Sequence, residues 1–391
     1  MTNTGTRLRP AERRRQLIAI AAALFTERGY EHVSVADIAR GAGVTGPSVY
    51  RHFADKQAIL AAAMAAAVDE MEAVTDAVLA RPDARYADLL AGVVAMSVSD
   101  PVPIVLWRWN RRHLSAQQAR AMIERSEAVL GRWVGLLAQE RPALSVDDAR
   151  VLAWATLAVA GSVPISRGRI GVRRYRAELE VIGARVLDAP PSAAPSLPPP
   201  PAPPARTIRR DELLDAAARL FFDNGYGQVG IDDIGAAVGI SGPSVYRHFP
   251  SKSSILLAIC GRAAAGLELG VVESTAATND AHEQLRLLVR SYARNLAISP
   301  DLAVAFTVGR ELLIEAGGES LLAAQRGYVA RWGALLTGPD GAGPDAAGAR
   351  IAVGAAMTIA NDFARTRRLR RRPRFRDELV YLMDTALGLS A

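Results

Sequence analysis

Residues 14–60 return as residues 210–256 at a constant offset of 196, and this duplication constrains the chain more than its composition does. Gly46-Pro47-Ser48-Val49-Tyr50-Arg51-His52-Phe53 reappears unchanged as Gly242-Pro243-Ser244-Val245-Tyr246-Arg247-His248-Phe249, eight identities in eight positions. Fainter matches follow. Arg132-Trp133 parallels Arg331-Trp332, Ala149-Arg150 parallels Ala349-Arg350, and Glu178-Leu179 parallels Glu378-Leu379, with the offset drifting only to 200. The whole chain therefore reads as two copies of one unit of about 185 residues.

Between the copies, Pro190–Pro204 holds nine prolines in fifteen residues. Such a stretch joins neither helix nor sheet and is expected to be a semi-rigid spacer, at ~3.1 Å per residue long enough for the copies to lie side by side. A chain of 391 residues, half of them hydrophobic, has ample material for two to four cores of its own. Ala and Leu dominate the apolar set, which favours helices over sheets.

The net charge of +7 and a pI near 9.9 suit a polyanionic partner without demanding one. Of the 47 basic residues only Lys56 and Lys252 are lysines, and they occupy the same repeat position. The lone cysteine, Cys260, excludes an internal disulfide and reads as a small core residue of a protein in a reducing compartment. The charge-free stretch Val151–Ser166 is too short for a membrane span and contains Pro164. Arg13-Arg14-Arg15 before Leu17–Phe25 imitates a twin-arginine export signal, but a matching segment from Arg209-Arg210 to Phe222 recurs mid-chain. Both are expected to be amphipathic helices, and the protein to be cytoplasmic.

Leu17, Ile18, Ala21, Leu24 and Phe25 share one helical face, as do Leu213, Leu214, Ala217, Leu220 and Phe221. Gly29 and Gly225 suit a glycine C-cap. Ser34 with Asp37 forms a capping-box pattern opening a second helix, and Gly43 permits a tight turn. Thr45 is expected to cap a short third helix with Pro47 in its first turn, and a fourth helix starts near Lys56. Two short helices about a glycine turn, on a scaffold helix, make a helix-turn-helix whose second helix would enter a DNA major groove. Thr45, Gly46, Pro47, Ser48, Tyr50 and Arg51 then lie at its groove end. There hydroxyls reach bases or phosphates, and Arg reads guanine. His52 and Lys56 are placed for phosphate, Lys56 at a helix N-terminus. The second copy offers Ser241, Gly242, Pro243, Ser244, Tyr246, Arg247, His248 and Lys252. Arg7, Arg9 and Arg13–Arg15, with Arg206, Arg209 and Arg210, form basic arms ahead of each copy, suited to the minor groove or to plain solvation.

The run Ser34-Val35-Ala36-Asp37-Ile38-Ala39, then Ala42-Gly43-Val44, then Ser48 to Phe53 and Lys56, resembles the N-terminal pattern of the TetR family of bacterial regulators. Ile231-Asp232-Asp233-Ile234, Val238-Gly239-Ile240, Ser244 to Phe249 and Lys252 repeat it. The resemblance implies an all-α fold of two tandem units, each a three-helix helix-turn-helix domain followed by a helical ligand and dimerisation domain. The expected organisation is a DNA-binding domain at 10–56, a regulatory domain at 57–189, a proline-rich linker at 190–205, and the same pair again at 206–252 and 253–391. It implies a repressor of double-stranded DNA released by a small-molecule effector, with Ser34 also near phosphate. Segments 145–165, 173–188, 345–365 and 375–389 are the expected interface helices. Two copies in one chain point to an intramolecular pseudo-dimer on a near-palindromic operator, with a homodimer of chains as the alternative. Gly230, in place of Ser34, lacks the hydroxyl.

Trp107, Trp109, His113, Trp133 and Trp154 in the first copy, with Met96 and Met122, are candidates for an apolar effector pocket, against Phe306, Arg310 and Phe363 in the second, with Met357. Aromatics at helical spacing are more often plain core, and the first copy looks the roomier. The basic run Arg365–Arg376 is expected to be a solvated loop between the last two helices. Gly41–Gly46 and Gly225–Gly230 both satisfy G-x-G-x-x-G, at non-equivalent repeat positions and after no strand, so they read as turn glycines. Nothing in the sequence indicates a catalytic site, metal or cofactor. A DNA-binding protein acting without a ligand, structurally or through a protein partner, is the other reading.

Overall fold

A computed structural model describes residues 9–389 except 111–112, 165–167, 169, 200–207, 340 and 342; the side chains of Trp109, Asn110 and Glu311 also lie outside the description. Among the described residues there is no strand, and helices carry the fold. The chain forms two compact units, whose boundary between Trp133 and Val134 falls within one long helix.

The first unit opens with α1 (Pro10–Arg28), α2 (Val35–Gly41), α3 (Gly46–Tyr50) and α4 (Lys56–Leu79). Leu17, Ala21 and Phe25 of α1 meet Ile38 and Ala39 of α2, Val49 of α3, and Ile59, Leu60 and Met64 of α4. Side-chain caps explain where two of these helices start. Ser34 Oγ accepts from the Asp37 N–H at 3.1 Å while the Asp37 carboxylate accepts from the Ser34 N–H at 3.0 Å. Asp55 accepts from the Ala58 N–H at 2.7 Å and starts α4 at Lys56. Thr45 precedes α3 as expected, but its hydroxyl makes no cap bond. Gly43, at φ 65°, supplies the left-handed turn between α2 and α3. Beyond lie α5 (Tyr86–Ser99), α6 (Val102–Asn110) and α7 (Ala116–Glu140), which runs across the boundary.

The second unit takes up α8 (Val146–Ala160) and α9 (Val172–Leu187), then the second helix-turn-helix: α10 (Arg209–Asn224), α11 (Ile231–Ala237), α12 (Gly242–Val245) and α13 (Lys252–Ala277). There follow α14 (Ala281–Ile298), α15 (Asp301–Thr307), α16 (Arg310–Glu315), α17 (Glu319–Thr337), α18 (Ala346–Arg365), α19 (Arg367–Arg370) and α20 (Phe375–Leu387). By length and composition alone α13 could cross a membrane. Here its Ile255, Leu256, Ile259 and Cys260 are buried in the core of the second helix-turn-helix.

The units do not follow the repeat. α8 and α9 belong to the first copy by sequence, yet they pack on α18 and α20 of the second. Eight of the fifteen residues of α8, among them Val151, Leu152, Ala155 and Val159, are buried hydrophobics, and α18 is buried on most of its faces. Such helices need partners all round, and the four helices supply them.

Two expectations change. The first part of the proline-rich segment is bound to the second unit: Pro191–Ala193 makes a 3-10 turn with Pro191 buried. Arg374 donates to the Ser192 and Ala194 carbonyls, and Arg376 to that of Pro198. Nor is the basic run a solvated loop. It contains α19, with Leu369 buried, and Arg372 pairs with Glu378 at 2.6 Å and with Asp148 of α8 at 3.4 Å. Both results have one cause: guanidinium groups spend their donors on backbone carbonyls and buried carboxylates that sequence spacing does not reveal.

Candidate nucleic-acid interface

In the first head Thr45, Pro47, Tyr50 and Arg51 are exposed on or beside α3, while Gly46, Ser48, His52 and Lys56 are half-buried. In the second, Ser241, Pro243, Tyr246, Arg247 and His248 are exposed, Ser244 and Lys252 are half-buried, and Gly242 is buried. Tyr50 is 57% exposed and Tyr246 54%. A large ring is thus left in water beside an arginine at the same place in both copies. Val49 and Val245 anchor each short helix from behind at 0% exposure.

The two lysines have a structural occupation. Lys56 Nζ donates to the Tyr30 carbonyl at 2.9 Å and stands 4.1 Å from the Tyr30 ring centroid. Lys252 Nζ stands 4.2 Å from the Tyr226 ring, and desolvation holds its ammonium below the usual lysine range. Each lysine thus pins α4 or α13 to the end of the scaffold helix. The arginines near the start of each copy brace it likewise. Arg13 donates to the Ala42 carbonyl and Arg209 to that of Val238. Arg14 lies over Phe53 and Arg210 over Phe249, at 4.9 and 4.6 Å. Arg13–Arg15, Arg209 and Arg210 are thus helical residues, not arms; Arg7 and Arg206 lie outside the described residues. Sequence reading missed these braces, although their signal, one offset of 196 linking donors and acceptors alike, was available. Each G-x-G-x-x-G run sits at helix ends, with no strand before it.

Asp37 is held down to about 2, chiefly by hydrogen bonds from Ser34 and then by Arg40, so the first head's cap stays ionised. In the second head the Gly230 N–H still donates to Asp233 at 2.7 Å, but no hydroxyl answers it.

The effector candidates are not gathered in one place. Trp107 packs with the first head's core. His113 stacks on Tyr30 at 4.5 Å and faces Glu31 at 3.2 Å, joining the helical domain to the reading head. Trp133 is buried, donates to Thr75 at 2.9 Å and meets Tyr86 edge-on. Trp154 is half-buried on α8, Arg310 is exposed, Phe363 is buried on α18, and the Trp109 side chain lies outside the described residues. In the second copy Phe306 joins Tyr292, which also touches Tyr328 and Trp332. Tyr328 Oη and Trp332 Nε1 are buried without a hydrogen-bond partner. Burial raises the Tyr328 and Tyr292 hydroxyls far above the phenol range, so both stay protonated.

Two helix-turn-helix modules, each with an exposed Tyr-Arg pair on its second helix, define a DNA-binding transcription regulator. The family model described as bacterial regulatory proteins of the tetR family matches residues 17–63 and again 213–259. The transcriptional repressor KstR2 of Mycobacterium tuberculosis is 31% identical over 146 residues, covering 34% of this chain and 72% of the repressor. The transcriptional activator FasR of Mycolicibacterium smegmatis is 38% identical over 87 residues, covering 22% of this chain and only 40% of FasR. The solved structure of KstR2 overlays with 24% identity and a TM-score of 0.38, covering 45% of this chain and 94% of KstR2. PfmR of Thermus thermophilus overlays with 25% identity and a TM-score of 0.39, covering 46% and 99%. The chain belongs to the TetR family, with the family's DNA-binding module present twice.

Proposed function

We propose that this protein is a repressor whose two halves act as a covalent pseudo-dimer on a near-palindromic operator and release it when a small ligand binds. The observation that carries the pseudo-dimer is the enclosure of α8 and α18, whose apolar faces are covered by helices of the same chain. A dimer of chains through these helices would need one of those faces open. Repression is supported by the likeness to KstR2 over 72% of that repressor's length.

The effector site belongs to the second copy in this reading, at Tyr292, Tyr328 and Trp332. Trp332 lies beside Tyr328, and neither polar atom has a partner at hydrogen-bond distance among the described residues; an unpaired buried donor costs about 1–3 kcal/mol, and a ligand with an aromatic or polycyclic body and an acceptor oxygen would satisfy one. The ligand-independent reading has no such observation in its favour. Light scattering with and without a duplex from the protein's own upstream region tests the assembly: one 41.6 kDa chain per duplex is expected. Two chains per duplex would refute the pseudo-dimer. Trp332 fluorescence during a screen of polycyclic acids and alcohols tests the ligand. The expected result is a change of emission with loss of DNA binding, both weakened by Tyr328→Phe, which keeps the Trp332 reporter.

A further inference from the structure

We infer a second ligand site, for a small phosphate-bearing anion, where the connection between α18 and α20 meets the first turns of α8. A cavity of about 250 Å³ lies there, with Arg150, Arg368, Arg371, Arg372 and Asp147 on its walls and Val151 and Leu369 among its lining. Arg372 is committed to Glu378 and Asp148. Arg150, Arg368 and Arg371 have no ion-pair partner among the described residues, so with Asp147, Asp148 and Glu378 counted against the four arginines the cavity keeps an excess of about one positive charge.

The frame of the cavity is fixed. Leu369 and Val151 are buried, at 2% and 0% exposure, and Asp148 is 6% exposed under the Arg372 guanidinium. Like charges held around one concave surface repel one another, and an occupant with two negative charges relieves them. Arg368 and Arg371 are exposed and Arg150 half-buried, and planar guanidinium forks can match phosphate oxygens in pairs.

The site also touches the reading apparatus. Arg370, between the cavity arginines, lies 4.4 Å from the ring centroid of Phe222 on α10, the scaffold helix of the second head. An anion that draws Arg368 and Arg371 inward pulls on the segment that carries this contact. This coupling, unlike the binding itself, rests on the DNA-binding reading above.

The test is calorimetric titration of the full chain with inorganic pyrophosphate, without DNA, at ionic strength held constant with chloride. One saturable site is expected, weakened about tenfold by Arg371→Ala and lost in Arg150→Ala/Arg371→Ala. Arg371 is exposed, so the single variant keeps its fold, which circular dichroism checks. Heat that tracks ionic strength alone, or equal affinity in the variants, overturns the inference. So does a double variant with weaker duplex binding when pyrophosphate binds neither protein, which assigns the arginines to the DNA backbone. Since the titration contains no DNA, its failure leaves the regulator reading standing.

Discussion

The carboxylate of Asp232 lies so close to the start of α12 that a Cβ on Gly242 would stand 1.9 Å from its Oδ1. The first head has Ala36 at this place, and open space around Gly46. Helices identical in eight consecutive residues therefore differ in charge at the end proposed to meet DNA. An exposed carboxylate there opposes phosphate, and its removal by Asp232→Ala should tighten duplex binding about fivefold and steepen the salt dependence by about one unit of slope. Fluorescence anisotropy at two chloride concentrations measures both. Weaker binding in the variant would instead mean that Asp232 accepts from a cytosine amino group. A second carboxylate, Asp384, is lifted to about 7 by burial, against the pull of Arg290 and Arg286, and its Oδ1 has no hydrogen-bond partner. Between the unfolded value of 3.8 and about 7, the folded chain keeps a proton that the unfolded chain has lost. This group therefore favours folding at low pH, and its contribution falls as pH rises to about 7, after which it is level. Asp384→Asn should raise the melting temperature at pH 8, by at most ~4 kcal/mol of stability, with the advantage shrinking toward pH 5. An equal gain at both pH values would count against the assignment. Cys260, pushed up to about 12 by burial, takes no part in chemistry at neutral pH.

Among the elements, α10 and α13 are joined in a way that α1 and α4 are not. Arg262 of α13 donates to Asp215 of α10 at 2.6 Å and to Asp301 of α15 at 2.8 Å. The first copy has Ala19 and Ala66 where the second has Asp215 and Arg262. Among the described residues, this charge link between scaffold helix and helical domain is made in the second copy. Arg262→Ala strands Asp301, whose side chain is 11% exposed, and should cost about 2–4 kcal/mol. Urea unfolding measures it, and an unchanged midpoint would show the bridge to be idle. What sequence could tell about these elements followed from local rules. Ser34 and Asp37 sit three residues apart, Gly43 must turn left-handed, and Asp55 must precede a helix at Lys56; each is a short-range requirement that any copy of the module meets. What escaped was long-range. His113 reaches Tyr30, Arg13 reaches the Ala42 carbonyl, and Arg374 reaches across to the proline-rich segment. A basic residue looks the same in sequence whether its donors meet water, a carbonyl or a phosphate, so spacing alone gives no sign that Lys56 also holds the Tyr30 carbonyl or that Arg372 pairs with Glu378. The effector candidates dispersed for a related reason: tryptophans on different helices converge only if the packing brings those faces together, and spacing along one helix cannot reveal it.

For the whole molecule, the two heads sit on one chain, and this makes them separately addressable in a way that a dimer of identical chains forbids. In a homodimer a substitution in the reading helix strikes both half-sites at once. Here Arg51→Ala alters only the first head and Arg247→Ala only the second, because both arginines are exposed and touch no core. If one chain covers one operator, each variant should lose about 1–3 kcal/mol of duplex affinity and the footprint of one half-site, leaving the other protected. The two variants should protect opposite halves, about one helical turn or 34–36 Å apart. Matched variants also report the difference between heads: since Asp232 opposes phosphate in the second, losing Arg51 from the stronger first head should cost more than losing Arg247. Hydroxyl-radical footprinting of both variants on one duplex reads all three quantities together. Symmetric weakening of both half-sites by either variant would require each half-site to hold a head of each kind. That arrangement demands two chains per operator, and the enclosure of α8 and α18 within one chain would then have to open for the second.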